Sequence, residues 1–291
     1  MSQGLSQRKV GVGFAATEIG SECESPIYDR RTENRLQAEL PRRQKTQALQ
    51  LLALVAAILY AYLIYVGMSL ELLALFKAVP VLLLMLMVLV VGDRRPYGMR
   101  VAAALAACML GNICLELEPL PSLHGMPLFP LGLGFFLVGH ATYLFAFTAN
   151  PLRLTLRTTL PPALAVAILY ALLRPHVPPS LFAPVLVYAM VMGLEIAVAL
   201  SREPEGHAAL YSWRCATAGT VLFTAASTIL GFDRFTGALP HGKLGAMSCY
   251  YVAQFLLAMS ARGSQQRQLT RTLGSVENFT KYQSFRTFDT D

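Results

Sequence analysis

The apolar residues of this chain fall into eight long runs, separated by short polar or basic stretches. The runs cover roughly 47–67, 72–92, 99–117, 128–148, 158–174, 181–200, 213–232 and 243–262. A helix needs about 20 mostly apolar residues to cross the hydrocarbon core of a bilayer, and each run meets or approaches that length. Strands of a membrane barrel would instead alternate over about 10 residues. The pattern predicts an all-α, polytopic membrane protein, with eight transmembrane helices in one bundle and an internal polar cavity.

The composition leads to the same class of protein. Hydrophobic residues make up 55% of the 291 residues and charged residues only 14%, whereas a soluble domain carries about 25% charged residues. Residues 1–46 and 263–291 offer no apolar face, so we expect two disordered tails around a membrane domain at 47–262. The five cysteines fit neither a zinc-ligand pattern nor a disulfide framework, and we expect no metal and no cofactor.

Basic residues cluster in the two tails and in alternate loops. One side of the predicted bundle holds both tails and most of the 24 Lys and Arg residues, while the loops of the other side hold only Arg174, Arg234 and Lys243. Cytoplasmic loops of membrane proteins carry the excess of basic residues. We therefore expect both termini to be cytosolic, and we interpret the net charge of +7 as orientation rather than as a nucleic-acid surface.

Polar residues also occur inside the apolar runs, where an ionisable group is costly unless it is paired or faces protein or water. Those that we expect to face the interior are Lys77, Asn112, His140, Tyr143, Tyr188, Glu195 and Gln254. His140 and Tyr143 are spaced i, i+3, which puts them on one face of the fourth helix. We expect this face to turn inward.

Structural roles are alternatives for several of these residues. Lys77 lies near a helix end and could extend its ammonium group to the headgroups. His140 could be a packing histidine that bonds a neighbouring helix. Ser227 stands among small residues, in AAST, and could serve close helix contacts. The sequence contains neither a G-x-S-x-G elbow nor an H-E-x-x-H zinc helix.

Six segments, in this order, resemble the lysoplasmalogenase (YhhN-type) family: LFKAVPVLLLML, MLGNICLEL, LGLGFFLVGHATYLFAF, VLVYAMVMGLEIAVAL, VLFTAASTILGFDRF and YYVAQFLLAM. The third segment is the most specific, and its matching residues are Gly134, His140, Tyr143, Ala146 and Phe147. The Y-Y-x-x-Q pattern of the last segment is the next most specific. The resemblance covers about residues 47–262 and leaves both tails outside.

The resemblance implies an intramembrane hydrolase that cleaves the vinyl-ether bond of lysoplasmalogens. The products would be a fatty aldehyde and glycerophosphoethanolamine or glycerophosphocholine. The implied partners are a lysophospholipid or lysoplasmalogen substrate and the bilayer, in the endoplasmic reticulum or the plasma membrane. We expect the substrate to be bound by Lys77, His140, Tyr143, Tyr188, Tyr251 and Gln254. The reaction needs an acid that protonates the alkene carbon and a water that adds to the oxocarbenium carbon, which are roles that suit carboxylates.

The chain departs from the family at two positions. Where the resemblance anticipates Gly-Asp it has glycine and Asn112, and where it anticipates Ser-Asp it has alanine and Ser227. Glu116, one turn after Asn112, and Glu195 are the carboxylates that could substitute. The candidate catalytic positions are therefore Asn112, Ser227, Glu116 and Glu195. A catalytically weak or inactive lysolipid-binding or regulatory relative is the alternative function, and a small-molecule transporter is a second alternative.

Overall fold

A computed structural model describes residues 26–91, 96–123, 125–149, 151–204 and 206–261 of the chain. Within these ranges the regular structure is helical, apart from an isolated antiparallel bridge between Leu152 and Arg202. The contacts divide the chain into two compact units, Met1–Arg42 and Arg43–Asp291. All side chains discussed below belong to the second unit.

Eight of the described helices are long and apolar enough to cross a membrane. In chain order they are α1 (Pro26–Val66), α2 (Leu70–Val91), α3 (Pro96–Leu117), α4 (Leu128–Phe147), α5 (Leu156–Leu173), α6 (Phe182–Leu200), α7 (His207–Thr236) and α8 (Gly242–Ala261). This confirms the predicted all-α fold with eight spans. The protein is an integral, multi-pass membrane protein.

Helix α1 begins earlier than the apolar pattern indicates. It starts at Pro26, inside the segment 1–46 that the composition predicts to be disordered. The residues that precede the first apolar run are rich in Glu, Arg, Gln and Leu, which favour a helix even where no apolar face exists. The membrane-crossing part of α1 starts at Gln44, close to the predicted boundary. Residues 1–25 and the tail 263–291 lie outside the described residues.

Glycines bring α3 and α4 close together. A Cβ atom at Gly139 would lie 2.5 Å from the Cys108 sulfur, and one at Gly132 would lie 2.9 Å from the Leu115 side chain. Small residues allow membrane helices to pack with their backbones close to each other. Helix α2 packs on α3, while α6 packs on α4, α5 and α7. The pair α3–α4 therefore packs closely, and it connects α2 on one side with α6 on the other.

The interior between α4, α7 and α8 is aromatic. The Phe223 ring stacks on His140 with the ring centroids 3.9 Å apart. It also meets the rings of Phe136 and Tyr250 in edge-on geometry, at 6.1 and 5.7 Å. Aromatic pairs at such spacings stabilise each other, so this cluster holds the plane of the His140 ring.

Candidate active site

A cavity of about 100 Å³ lies among helices α4 to α8. Leu, Val, Met and Phe side chains make up most of the cavity walls, and helix α5 forms one wall. Its polar lining comes from Tyr170, Tyr188, Ser227, Thr228, Arg234 and Tyr250. The sequence predicts a polar cavity, but this lining is mostly apolar, since the buried polar side chains are largely used in contacts with one another. The volume accommodates several water molecules or the reacting part of a lipid.

One face of α7 runs along this cavity, from Ser227 to Phe235. Ser227 and Arg234 are seven residues apart, which is about 10 Å along a helix that rises 1.5 Å per residue. The Arg234 guanidinium lies 2.8 Å from the Glu118 carboxylate and over the Phe129 ring, and 45% of its side chain is exposed. The cavity therefore has a partly exposed end that holds the Arg234–Glu118 ion pair, and a hydroxyl group about 10 Å deeper.

A chain of polar contacts leads from Ser227 into the protein. The Ser227 hydroxyl lies 3.5 Å from Nε2 of His140, and Nδ1 of the same ring lies 2.5 Å from Oε2 of Glu195. Thr220 donates a hydrogen bond to the other Glu195 oxygen at 3.2 Å. The Tyr188 hydroxyl lies 3.1 Å from the Ser227 hydroxyl. These contacts connect α4, α6 and α7 around one imidazole ring.

Glu195 decides which nitrogen of His140 points toward the cavity. An ionised carboxylate only accepts hydrogen bonds, so when Glu195 is ionised Nδ1 donates to it and Nε2 is left for the Ser227 hydroxyl. His140 and Glu195 are both fully buried, whereas Ser227 lines the cavity. The pair can therefore exchange protons with the cavity at the position of Ser227.

A second polar group lies beside the cavity at Asn112. The Asn112 amide is fully buried next to the hydroxyl of Tyr250, which lines the cavity. Neither group has a hydrogen bond of normal geometry to any residue that the structure describes. Asn112 and Ser227, the two positions where the resemblance anticipates an aspartate, thus lie near the same cavity.

Lys77 and Glu116 belong to a separate cluster. Lys77 donates to Oε2 of Glu116 at 2.9 Å, and Tyr60 donates to the same oxygen at 3.1 Å. Lys243 donates to the other oxygen at 2.5 Å. Lys77 is only 4% exposed, so the alternative in which it extends to the headgroups is wrong. Neither Lys77 nor Glu116 is part of the lining of the 100 Å³ cavity.

Tyr251 and Tyr60 line a different space, an open groove of about 650 Å³ between α1, α2 and α8. The Tyr251 hydroxyl donates to the backbone oxygen of Lys77 at 3.1 Å. This contact ties the groove to the Lys77 cluster rather than to the 100 Å³ cavity.

The Tyr143 hydroxyl donates to the Gln254 side-chain oxygen at 2.7 Å. His140 and Tyr143 are both fully buried, which confirms that their shared face turns inward. Of the predicted site residues, the structure brings His140, Tyr188, Glu195 and Ser227 into direct contact. It does not bring Lys77, Glu116 or Tyr251 to that group.

The sequence profile of the YhhN family matches residues 72–261. The chain belongs to the YhhN family. Lysoplasmalogenase TMEM86B of Sus scrofa is 32% identical over 191 residues, which are 66% of this chain and 76% of that protein. The TMEM86B lysoplasmalogenase of Rattus norvegicus is 33% identical over 190 residues, 65% of this chain and 72% of its own length. Lysoplasmalogenase TMEM86A of Bos taurus is 29% identical over 199 residues, 66% of this chain and 79% of that protein. No solved structure matches the chain.

Sequence reasoning misses two polar residues of this YhhN family member, because it treats Arg234 and Lys243 only as loop charges. A signal for Arg234 exists, since a spacing of seven residues places it on the same helical face as Ser227. Lys243 carries no comparable signal, because its contact with Glu116 joins residues that are far apart in the chain.

Proposed function

We propose that this protein is a lysoplasmalogenase-like hydrolase that cleaves the vinyl-ether bond of lysoplasmalogens inside the membrane. The observation that carries the proposal is the buried His140–Glu195 pair, which reaches the cavity at Ser227. Relatives that bear the name lysoplasmalogenase support the reaction class. The products are a fatty aldehyde and glycerophosphoethanolamine or glycerophosphocholine.

The positions of Arg234 and Ser227 along α7 suit the phosphate and the reacting bond of a lysophospholipid. An arginine guanidinium binds phosphate oxygens through paired hydrogen bonds, and Arg234 stands at the exposed end of the cavity. The reacting bond of such a lipid is one glycerol unit away from its phosphate, which fits the distance of about 10 Å between Arg234 and Ser227. A cavity of about 100 Å³ holds only the beginning of the chain, so the rest of the chain lies in the bilayer.

In the proposed reaction the His140–Glu195 pair supplies one proton and recovers it. The protonated ring donates from Nε2 to the Ser227 hydroxyl, which lines the cavity and passes its own proton to the alkene carbon that is not bonded to oxygen. Glu195 stabilises the positive ring and keeps its orientation, as the carboxylate of a hydrolytic triad does. Water then adds to the oxocarbenium carbon and returns a proton to Nε2, and the hemiacetal collapses to aldehyde and alcohol. Glu116 has no role in these steps, because its oxygens are bonded to Lys77, Tyr60 and Lys243.

Orientation and location belong to the same proposal. The distribution of basic residues supports cytosolic termini, and we propose the endoplasmic reticulum or the plasma membrane as the location. With cytosolic termini, the end of α7 that carries Arg234 faces the opposite leaflet. The headgroup of the substrate is then taken from that leaflet.

Release of aldehyde from lysoplasmenylethanolamine in detergent micelles tests the function. We expect turnover by the wild type, and a drop in kcat of about 10²–10⁴ for His140→Asn and Glu195→Gln, the usual contribution of a positioned acid or base. Glu71→Gln, an exposed carboxylate at the start of α2, serves as the control and should keep full activity. Undiminished activity of Glu195→Gln would refute the assigned proton donor. A wild type that binds the lysolipid without releasing aldehyde would favour the binding alternative.

The double variant Asn112→Asp/Ser227→Asp tests the two altered positions. Both lie near the cavity, so two carboxylates there should raise vinyl-ether cleavage by at least about tenfold, below the usual effect of one positioned acid or base. Aldehyde release per folded protein measures the gain. An unchanged or lower rate would show that these positions do not take part in proton transfer.

A further inference from the structure

Three side chains contact one another as in a hydrolytic triad: the hydroxyl of Ser227, the imidazole of His140 and the carboxylate of Glu195. A hydroxyl lies 3.5 Å from one ring nitrogen, and a carboxylate lies 2.5 Å from the other. Nucleophile–base contacts in triads are often looser than a normal hydrogen bond before substrate binds. The hydroxyl is the member that lines the cavity, and the other two groups are buried behind it. This is the arrangement that a serine nucleophile requires.

We propose that this protein also hydrolyses the carboxylic ester of 1-acyl lysophospholipids through a covalent acyl intermediate on Ser227. His140 acts as the base and Glu195 orients it. The inference rests on the same His140–Glu195 pair as the proposed function, but it gives Ser227 a nucleophilic role that vinyl-ether cleavage does not use. A carboxylate at position 227 would compete for the His140 ring, whereas a hydroxyl can lose its proton to that ring and attack.

Each step of the ester reaction balances without any further reactant than water. The Ser227 oxygen bonds to the ester carbonyl carbon as its proton moves to Nε2 of His140. The tetrahedral intermediate expels the glycerol oxygen, which takes the proton from Nε2, and leaves an acyl group on Ser227. Water, deprotonated by the same nitrogen, attacks the acyl carbon and releases a fatty acid and the free serine.

Tyr188 supplies a donor for the oxyanion of this intermediate. The backbone amides around Ser227 lie inside α7 and are used in helical hydrogen bonds, so the donor has to be a side chain. The Tyr188 hydroxyl lies 3.1 Å from the Ser227 oxygen and belongs to the cavity lining. Loss of one such donor lowers kcat by about 10²–10³, and we expect this loss for Tyr188→Phe with the ester substrate.

The same cavity suits both the ester and the vinyl-ether substrate, because the two lipids share the distance between phosphate and reacting carbon. In both lipids the reacting carbon is bonded to the oxygen at the first glycerol position. The phosphate therefore reaches Arg234 when that carbon lies at Ser227, about 10 Å deeper along α7. The reactions differ in whether that carbon is a carbonyl carbon, which accepts a nucleophile directly, or an alkene carbon, which accepts water only after its neighbouring carbon has been protonated.

The experiment uses the full chain in detergent micelles with 1-acyl-lysophosphatidylethanolamine and a fluorophosphonate probe. We expect fatty acid release and a probe adduct that peptide mapping locates on Ser227. Ser227→Ala should lose the adduct and at least about 10²-fold of the ester turnover, and His140→Asn should lose both as well. Thr142→Val is the matched control, because Thr142 bonds its hydroxyl to the Val138 backbone on α4 and lies outside the cavity lining. This control should keep the adduct and the activity.

The two readouts separate the two reactions. Fatty acid release that persists in Ser227→Ala, or an adduct at another residue, overturns the inference. Aldehyde release without fatty acid or adduct also overturns it and leaves the vinyl-ether function standing. Fatty acid release that depends on Ser227, without aldehyde, supports the inference and refutes the vinyl-ether function. Adduct mapping on the wild type decides the case even if Ser227→Ala fails to fold.

Discussion

Glu116 and Glu195 show how the contacts of a buried carboxylate decide what it can do. Glu195 contacts one imidazole and one hydroxyl, and through the imidazole it reaches the cavity. Glu116 is held by two ammonium groups and a phenol. The first arrangement can pass a proton to the cavity lining, while the second joins α1, α2, α3 and α8. We therefore expect a chemical role for Glu195 and a structural role for Glu116, although both carboxylates are buried.

At the residue scale, Lys77→Met should strongly lower stability. The change leaves buried Glu116 with Lys243, which is 43% exposed in its side chain, and removal of one partner of a buried ion pair costs about 3–5 kcal/mol. Lys243→Met should cost less, because Lys243 keeps contact with solvent or headgroups. Melting temperatures in one detergent measure both losses. Equal losses for the two variants would show that burial of Lys77 is not what matters.

At the scale of helices, the contact between α3 and α4 determines where His140 lies. Gly139 precedes His140 and faces the Cys108 sulfur with no room for a methyl group. Gly134, on the same helix, has nothing within 4 Å of the place where a Cβ atom would be. One glycine therefore sets the distance between the helices, and the other does not.

This difference predicts the outcome of two alanine substitutions in α4. Gly139→Ala should cost about 1–3 kcal/mol, as overpacking does, and should lower activity, because a displacement of about 1 Å can reduce catalysis a hundredfold. Gly134→Ala should leave melting temperature and turnover within error of the wild type. The paired measurement of both quantities checks the prediction. A harmless Gly139→Ala would mean that α3 and α4 separate without consequence for His140.

At the scale of the molecule, most of the fold and part of the candidate site can be predicted from the sequence. Runs of about 20 apolar residues predict the spans, because each helix satisfies its own backbone. Rotation of each helix against its neighbours is set by packing, so the sequence predicts that Glu195 and His140 are buried but not that they touch. The contact of Lys243 with Glu116 is missed for the same reason. The early start of α1 is missed for a different one, because the apolar pattern does not register residues that favour a helix without an apolar face.

Helix α5 is the weakly attached wall of the cavity. Its buried residues are Pro162, Val166 and Leu173, and it packs mainly on α6. Most of its surface therefore faces the surrounding lipid, and little buried area is lost when it moves outward. A lipid chain that lies in the bilayer can reach the cavity past this helix without passing through water.

The proposed hydrolysis should then follow surface-dilution kinetics, because the protein would sample lipid in two dimensions. At constant bulk concentration, addition of inert detergent should lower the velocity in proportion to the mole fraction of substrate in the micelles. Addition of substrate and detergent together, at fixed mole fraction, should leave the velocity unchanged once all protein is micelle-bound. A velocity that follows bulk molarity instead would place the route of the substrate in the aqueous phase.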